Sequence, residues 1–544
     1  MSETDFISID QNSNVLWDAL PKLAALARHG LTGVHAVEDV DVAFTRQGAD
    51  PAAGAALALE PERWYRTGNS DWGAALFYTA FLGRNMVNPR ELEPFTGLTV
   101  AALARKLDWT LDELYLHLAG SDNLQLTGCS YAGGVDRHRV IGDLGTAECA
   151  IFVRDLLDHA RRDLLERFPE PVAQHRITAW FDTEQACMER DLSAYAAAPL
   201  VRFYQAWMGR HLPADRVRVT TTSEWFAEGG PDLPRHRLLA DFLAQSAEWT
   251  AHYNAAVAET ACGLKPLQAA AGELPFFAVW RGADGHLFRT GLNLDGARLV
   301  AAGRSWALEP GGRPPLDAMR ADGLICLAGK ALLLVLQARI EPGGLPLALP
   351  HQGSLYMPAA FALERRLRAA GLLTAPAHPV LRVRFRFLDR WLGCPTLLRL
   401  PEWLGPFFSA PELTADAFAR EFPVAKRNAQ QDLDALRTPQ GRETVLRRLL
   451  PEASARAADL ETRRRELARD PATRAAAGQL WDELRPLDRE RTRTLAEHAL
   501  RCLHLPGLDY WDSRGALLPW SIALGGEAFY DHLLTAAELT EETP

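Results

Sequence analysis

The residue types best suited to chemistry cluster in residues 121–148, a polar segment punctuated by glycines inside a chain rich in Ala, Leu and Arg. Glycine frees the backbone for turns and for close approach to a ligand. Loops held by a rigid scaffold are also where binding and catalytic residues concentrate. We therefore predict a site in this segment. Its candidate catalytic residues are Ser130, Asp136 and His138, and its candidate ligand-binding residues are Asp122, Tyr131 and Asp143.

Asp136 and His138 have the spacing of an acid/base pair. Side chains two residues apart share one face of an extended segment, and a neighbouring carboxylate can orient an imidazole and tune its pKa toward neutrality. Metal binding with Asp143 and Glu148 is the alternative. However, metal motifs gain specificity from paired histidines, and no second histidine lies near His138 in the sequence. We favour a polar catalytic or binding loop without a metal.

Ser130 raises the alternative of a serine hydrolase. A nucleophile elbow has the pattern G-x-S-x-G, because small residues on both sides permit the sharp strand-to-helix turn that exposes the serine. The sequence GCSYAG, residues 128–133, places the second glycine one residue too late, and the residues after it do not begin a helix. A glycine-rich loop with a capping serine is the simpler interpretation.

A second candidate site follows a predicted strand at residues 345–349. The sequence PHQGSLY, residues 350–356, leads from that strand into a helix, a geometry that presents free backbone N–H groups to an anion. It resembles the H-x-G-H signature with which adenylate-forming nucleotide folds hold ATP, but its fourth residue is serine and no KMSKS-like loop follows. We predict His351 as catalytic. Gly353, Ser354 and Tyr356 are predicted to bind ligand; the plain alternative is a helix N-cap at Ser354.

Three arginines alternate with apolar residues in the predicted strand 380–388. Arg382, Arg384 and Arg386 would share one strand face, and guanidinium groups bind phosphate or carboxylate in a bidentate manner. We predict that they bind an anion; a solvated outer face is the alternative. ATP or another nucleotide is the candidate cofactor, although the chain contains neither a complete P-loop nor a G-x-G-x-x-G motif.

Composition limits the class of protein to which these sites belong. The chain has 544 residues, 48% of them hydrophobic, enough for a large core and more than one domain. Its net charge of −10 argues against a general nucleic-acid binder, which needs a basic face. The seven cysteines form no CxxC pair and fit reduced thiols. Because neither a signal peptide nor a membrane span is expected, we predict a cytoplasmic protein that acts on a small molecule, without nucleic-acid or membrane partners.

Periodicity predicts three regions along the chain. They are a helical N-terminal region (1–265), an α/β nucleotide-fold-like core (266–410) and a charged helical arm with an aromatic tail (411–544). The first includes a strand at 217–222. The second alternates strands and helices, with tight hairpins at Asp-Gly pairs, which predicts a partly parallel, Rossmann-like sheet. The third predicts a helical hairpin or short coiled coil divided at Pro471 and Pro486, and a tail that docks on the body. The predicted class is mixed α/β and predominantly helical.

The last two regions resemble the cysteine-adding enzymes of bacillithiol biosynthesis. The resemblance rests on the run GLPLALPHQGSLYMPAAFALERRLRAAGL, an Arg-bearing strand, a charged helical hairpin and the closing run DSRGALLPWSIALGGEAFYDHLL. The family's T-G-Q-Q signature is missing, and the first region matches no part of the family's pattern. The resemblance implies a Rossmann-like core, a coiled-coil arm and a ligase acting on a small amino or thiol metabolite. It implies site roles for His351, Gly353, Tyr356 and the three arginines.

Two other functions stay open beside this ligase or transferase. One is a non-catalytic assembly protein that uses the helical arm, which would also be the contact of a homodimer. The other is the serine hydrolase at Ser130. The enzyme hypothesis requires that the two polar segments, 121–148 and 351–386, line one anion-receptive pocket.

Overall fold

A computed structural model gives the arrangement of the chain. It describes residues 5–10, 17, 19–37, 43–47, 89–111, 113–114, 124–128, 138–213, 215–229, 232–260, 262, 264–351, 353–354, 356–402, 404–469, 473–505 and 517–544. Helices make up 59% of the structure, and its sheets contain both parallel and antiparallel pairs. The predicted class, mixed α/β and predominantly helical, is confirmed.

The strands, in chain order, are β1 Phe6–Asp10, β2 Gly33–Val37, β3 Ala43–Gln47, β4 Leu124–Gly128, β5 His138–Arg139, β6 Val217–Thr221, β7 Glu273–Arg281, β8 Leu287–Asp295, β9 Arg298–Ala301, β10 Arg304–Ala307, β11 Leu324–Gly329, β12 Leu347–Pro350, β13 Val380–Arg384, β14 Leu397–Arg399, β15 Glu412–Thr414 and β16 Glu538–Glu542.

The α-helices are α1 Leu20–Arg28, α2 Glu93–Thr96, α3 Val100–Leu107, α4 Thr146–Arg167, α5 Pro171–Ala194, α6 Leu200–Gly209, α7 Thr222–Ala227, α8 Pro234–Ala244, α9 Ser246–Thr260, α10 Leu316–Ala321, α11 Leu332–Arg339, α12 Met357–Ala369, α13 Ala415–Leu436, α14 Pro439–Leu449, α15 Pro451–Ala468, α16 Arg474–His504, α17 Leu517–Gly525 and α18 Glu527–Thr535. Short 3₁₀ helices lie at Pro89–Leu92, Ile141–Asp143, Ala269–Ala271, Leu388–Trp391 and Gly405–Phe407.

The central element is a six-stranded sheet with the order β16-β13-β12-β1-β2-β6. All of its strands run parallel except β16, which closes one edge in the antiparallel direction. The chain proceeds outward from β1 to β2 and β6, then returns across β1 to β12 and β13. This reversal brings the carboxyl ends of β1 and β12 side by side, the position at which open parallel sheets form a ligand-binding crevice.

Each face of this sheet is covered by its own hydrophobic core. On β1, Phe6 faces a core formed with α1, α4, α5 and α6, whereas Ile7 and Ile9 face a core formed with α9, α11 and α12. The alternation follows from the strand pleat. A Cβ added to Gly33 of β2 would lie 2.4 Å from the Phe6 ring, so glycine lets Phe6 cover the neighbouring strand.

The second sheet is antiparallel, with the order β10-β9-β8-β7-β11, and β5 also pairs with β8. The hairpins predicted at Asp-Gly pairs are confirmed: Gly285 and Gly296 turn the chain with positive φ angles of 86° and 58°. The predicted alternation of β11, α11, β12, α12 and β13 is also present. However, β12 and β13 join β1, β2 and β6, so the central sheet takes strands from both sides of the predicted border at residue 265, and β16 adds one from beyond residue 410.

The charged helices α15 and α16 pack against each other through a small apolar cluster. Its buried members are Ala457, Leu460, Leu480 and Leu484. Beyond this hairpin α16 continues into the main core, where Ala499 and Cys502 are fully buried. The predicted division at Pro486 is wrong, because Pro486 lies inside the continuous α16. Proline removes one backbone hydrogen bond, and packing along the rest of this long helix offsets that loss. Pro471 lies outside the described residues.

The described part of the aromatic tail docks on the body, as predicted. Trp520 of α17 is buried, stacks on Trp391 with ring centroids 5.9 Å apart, and meets the edge of Phe168 at 4.9 Å. The tail then adds β16 to the central sheet.

None of the helices within the described ranges is long and apolar enough to cross a membrane.

Candidate functional site

Four polar residues are joined by hydrogen bonds and an ion pair near the carboxyl end of β1. Ser8 and Asp10 lie two residues apart on the strand, Lys22 comes from α1, and His35 comes from β2. Ser8, Lys22 and His35 are at most 1% exposed, and the Asp10 side chain is 13% exposed. Burial of so many polar groups is costly unless they satisfy one another. We call these four residues the β1 quartet.

The hydrogen bonds of the β1 quartet form one chain. The Ser8 hydroxyl donates to Asp10 Oδ2 at 2.8 Å, and His35 Nδ1 lies 3.0 Å from the same hydroxyl. Because that hydroxyl has one proton and gives it to Asp10, we assign the Nδ1–H tautomer to His35, which donates to Ser8. The Lys22 ammonium forms an ion pair with Asp10 and donates to the Ala348 carbonyl of β12 at 3.2 Å. Lys22 therefore ties β1 to β12 at the reversal point.

Burial fixes the charges in the quartet. Desolvation lowers the pKa of His35 to about 4, against an opposing effect of Asp10, so the imidazole is neutral at physiological pH. Desolvation by itself would raise the pKa of Asp10, but the Lys22 charge, His35 and the hydrogen bonds together lower it. Asp10 is therefore ionised at neutral pH, and Ser8 is not arranged as a triad nucleophile, since its proton points to Asp10 rather than to the imidazole.

The predicted site at residues 350–356 lies at the same edge, immediately after β12. The His351 N–H extends the sheet by donating to Val383 at 2.9 Å, and the His351 side chain is partly buried. The Gly353 N–H, predicted to hold an anion, instead donates to the Pro350 carbonyl at 2.9 Å and closes a turn. Ser354 is not the helix N-cap: it has a left-handed φ of 64°, and the N-cap of α12, which begins at Met357, is Tyr356.

Arg382, Arg384 and Arg386 do not share one strand face as predicted, because β13 ends at Arg384 and Arg386 lies beyond it. Arg382 is 9% exposed; its Nη1 donates to the Pro350 and Gly353 carbonyls at 3.0 and 2.7 Å, and its Nε donates to Glu542 at 2.7 Å. Arg382 therefore fixes the turn after β12 and pairs with a carboxylate of the chain itself. This correction has a physical origin in β16, an acidic edge strand that sequence periodicity did not predict.

The remaining two arginines also meet β16. Arg384 ends β13 and lies opposite Glu538 in the antiparallel register. Arg386 lies beyond the strand, has a left-handed φ of 48°, and its Nε donates to Glu538 at 2.6 Å. The Arg386 hydrogen bond, assisted by the charges of Arg386 and Arg384, lowers the pKa of Glu538.

The polar segment 121–148 is described only in part. Ser130, Asp122, Tyr131 and Asp136 lie outside the described residues, so their predicted roles stay predictions. The backbone of His138 pairs with Arg289 of β8.

Asp143 has a clear structural task. It accepts a hydrogen bond from the Leu287 N–H at 2.9 Å, and its carboxylate lies 3.0 Å from His286 Nδ1. These contacts fix the start of β8, and the ligand contact of Asp143 stays a prediction.

Two cations that were not predicted from the sequence lie on the Phe277 ring, and one of them, Arg289, is the β8 residue whose backbone pairs with His138. The Arg289 guanidinium lies 4.0 Å from the Phe277 ring centroid, and Lys330 Nζ lies 4.9 Å from the same centroid. Lys330 also pairs with Glu273 at 3.5 Å. Burial lowers the pKa of Lys330, against the opposing charge of Glu273. Two cations share one aromatic ring here, a combination suited to a carboxylate or phosphate.

Tyr356, in the second predicted site, packs against the same hydrophobic core as Tyr253. Burial raises the pKa of Tyr253, and the charge of Glu273 adds to the effect. Glu273 in turn pairs with Lys330. Tyr356 and the strand β7, which carries Glu273 and Phe277, thus border one hydrophobic core.

The β1 quartet escaped the sequence analysis because short buried strands give little signal. The β1 sequence FISID contains only two polar residues, at alternate positions of an apolar strand. The α1 sequence LPKLAALAR contains one lysine among apolar residues that are buried with it. A lysine inside an apolar helix is the one available signal, since a buried ammonium requires a partner.

No protein-family model matches the chain, and no curated protein matches its sequence.

Proposed function

We propose that the chain is an enzyme of ligase or transferase type that binds a small anionic metabolite, amino-acid-like or nucleotide-linked, at the carboxyl edge between β1 and β12. The observation that carries the proposal is the β1 quartet, which concentrates buried, mutually bonded polar groups at the strand reversal. The order of the parallel strands is the one used by doubly wound, Rossmann-like sheets, and ligands of such sheets bind at this point.

Each charged group has a role in this proposal. Asp10, ionised and partly exposed, would accept hydrogen bonds from an ammonium or hydroxyl group of the ligand. His351 follows the neighbouring strand and would contact the reacting group. Lys330 and Arg289 would neutralise a carboxylate or phosphate, the preorganised electrostatics that group transfer requires. This is also the type of substrate that the resemblance to cysteine-adding enzymes implies.

The proposal also retains a single pocket for both predicted segments. It is supported by two observations: Tyr356 and β7 border the same hydrophobic core, and Lys330 and Arg289 both lie on the Phe277 ring of that strand. A ligand that bridged the two segments would contact His138 at one end and His351 at the other.

Isothermal titration calorimetry with a panel of adenine nucleotides and amino acids, cysteine included, tests the proposal. We expect saturable binding of at least one compound to the full-length protein, and binding more than about tenfold weaker in His351→Ala, since hydrogen bonds to charged groups contribute about 1.5–3 kcal/mol. Asp10→Asn should also weaken binding.

Asp531→Asn is the matched control, because Asp531 pairs with Arg28 on the surface with 56% of its side chain exposed. Its affinity should equal that of the wild type. The proposal fails if no nucleotide or amino acid binds, or if His351→Ala and Asp10→Asn bind as tightly as Asp531→Asn.

The assembly function keeps one observation in its favour. The hairpin of α15 and α16 exposes 47% of Trp481 with the Arg464 guanidinium 5.4 Å from its ring centroid, a side-chain pair often found at protein contacts. Replacement of residues 451–487 by a short glycine linker removes the hairpin and leaves the buried half of α16 intact. Equal molecular mass of both forms per chain in solution, each a monomer, would exclude dimerisation through the arm.

A further inference from the structure

A second cluster of chemically capable side chains lies far along the chain from the β1 quartet, where the arm joins the body. Asp432 of α13 faces His498 and Cys502 of α16, which are four residues apart and so share one face of the helix. Cys502 is fully buried, His498 is 7% exposed, and the Asp432 side chain is 14% exposed.

The atoms of the cluster converge on one ring nitrogen. His498 Nε2 lies 2.8 Å from Asp432 Oδ2 and 3.5 Å from Cys502 Sγ. The three potential ligand atoms all lie within 4.8 Å of one another. A single Nε2 has either one proton or one lone pair to offer, so it can satisfy only one of these two neighbours by hydrogen bonding.

A cysteine-nucleophile triad does not fit this geometry. In such a triad the thiol and the carboxylate contact different nitrogens of the imidazole, whereas here both approach Nε2. Burial, together with the Asp432 charge, raises the pKa of Cys502 to about 12, the opposite of an activated thiolate.

We propose that Asp432, His498 and Cys502 form a binding site for a divalent transition-metal ion of the Zn²⁺ class. One ion accepts an oxygen, a nitrogen and a sulfur ligand together, and tetrahedral Zn²⁺ sites place such ligand atoms about 3.3–3.6 Å apart. Binding replaces the thiol proton, which is released to solvent, by the metal. The fourth position is left for water. The ion would lock α13 to α16 at the base of the arm.

The Arg448 guanidinium would compete with a metal ion for the Asp432 carboxylate. It pairs with the same Asp432 oxygen, and 57% of the Arg448 side chain is exposed. A metal ion bound at that oxygen would compete with Arg448 for the negative charge of Asp432, and the exposed Arg448 side chain can turn into solvent. Removal of this cation should therefore strengthen metal binding.

Titration of chelator-treated, full-length protein with Co²⁺, followed by Zn²⁺ competition, tests the site. We expect one equivalent of Co²⁺ to produce a thiolate-to-cobalt charge-transfer absorption that Zn²⁺ abolishes. Cys502→Ser should lose the absorption, and Cys326→Ser, which changes a buried cysteine of the other core, should retain it. Absence of the absorption in the wild type, or its persistence in Cys502→Ser, overturns the proposal.

Two further variants test the metal site even if Cys502→Ser does not fold. Asp432→Asn should weaken Zn²⁺ binding by more than about tenfold, since loss of an outer-shell partner already has that effect in known sites. Arg448→Ala should tighten it. Unchanged affinity in both variants rejects the site, and neither result depends on the proposed enzyme activity.

Discussion

The β1 quartet and the α15–α16 hairpin use charge in opposite ways. In the quartet, Lys22 and Asp10 are removed from water and bound to each other, to Ser8 and to a backbone carbonyl. On the hairpin, pairs such as Arg463 with Asp459 keep more than half of each side chain in solvent. The hairpin contains far more charges, yet each of its ion pairs is individually weak.

The difference shows which polar residues report on function. A solvated charge costs nothing to keep and needs no explanation beyond solubility. A buried ion pair must offset a desolvation penalty of several kcal/mol per ion, so its presence at a strand reversal calls for a reason. In this chain, polar composition alone favours the hairpin and the glycine-rich loops, whereas burial singles out the β1 quartet.

Disruption of the buried ion pair should have the largest effect on stability. Lys22→Met leaves Asp10 without its cation, and we expect the free energy of unfolding to fall by about 3–5 kcal/mol. Urea unfolding followed by tryptophan fluorescence measures this change. Lys22→Met combined with Asp10→Leu should recover part of the loss, because no unpaired charge remains. A loss below about 1 kcal/mol, the range of surface pairs, would remove the contrast between the two regions.

Comparison of the wild type with His35→Asn over a range of pH should isolate the contribution of His35 to the free energy of unfolding. Its pKa is 6.5 in the unfolded chain and about 4 in the folded protein. Between these values the unfolded state binds a proton that the folded state does not, so the contribution of His35 to the free energy of unfolding falls as the pH decreases from 6.5 to 4, by about 3 kcal/mol in total. His35→Asn, whose amide still offers a donor to Ser8, should lack this slope in urea unfolding. Identical slopes in both proteins would show that His35 is not buried as a neutral group.

The apolar seam of the hairpin should matter more than its charges. Leu460 is 4% exposed between α15 and α16, and Leu460→Ala should cost about 2–3 kcal/mol through lost burial and the cavity that remains. Because the effect is local, hydrogen exchange should speed up in the hairpin and stay unchanged at β1. Faster exchange at β1 as well would mean that the hairpin and the sheet unfold together.

The smallest effect is expected for an exposed ion pair. Arg456 lies 3.8 Å from Glu483 across the hairpin, with 67% and 52% of the side chains in solvent. Arg456→Ala should change the free energy of unfolding by less than about 0.5 kcal/mol, measured in the same urea assay. A larger loss would indicate that the surface charges of the hairpin act as a cooperative network.

Much of the secondary structure was predictable from the sequence, because its signals are local. The Asp-Gly hairpins at Gly285 and Gly296 follow from turn chemistry, and α11 and α12 follow from apolar periodicity. The site was less predictable. His351 was predicted as a site residue from its position between a strand and a helix, and its role stays a prediction. The structural role of Arg382 could not be predicted, because it depends on Glu542, a residue 160 positions away in the sequence.

The sequence by itself determined the class of the protein, the turns, the helical hairpin and the apolar tail that docks on the body, since these depend on propensity and on period within a few residues. Only the tertiary structure decided that β1, β2, β6, β12, β13 and β16 form one sheet, that Lys22 meets Asp10, and that Asp432 meets Cys502. The physical reason is that pairing and burial are properties of side chains brought together from distant parts of the chain. A carboxylate in a loop and a carboxylate buried against a lysine are identical as letters and differ by several kcal/mol of desolvation.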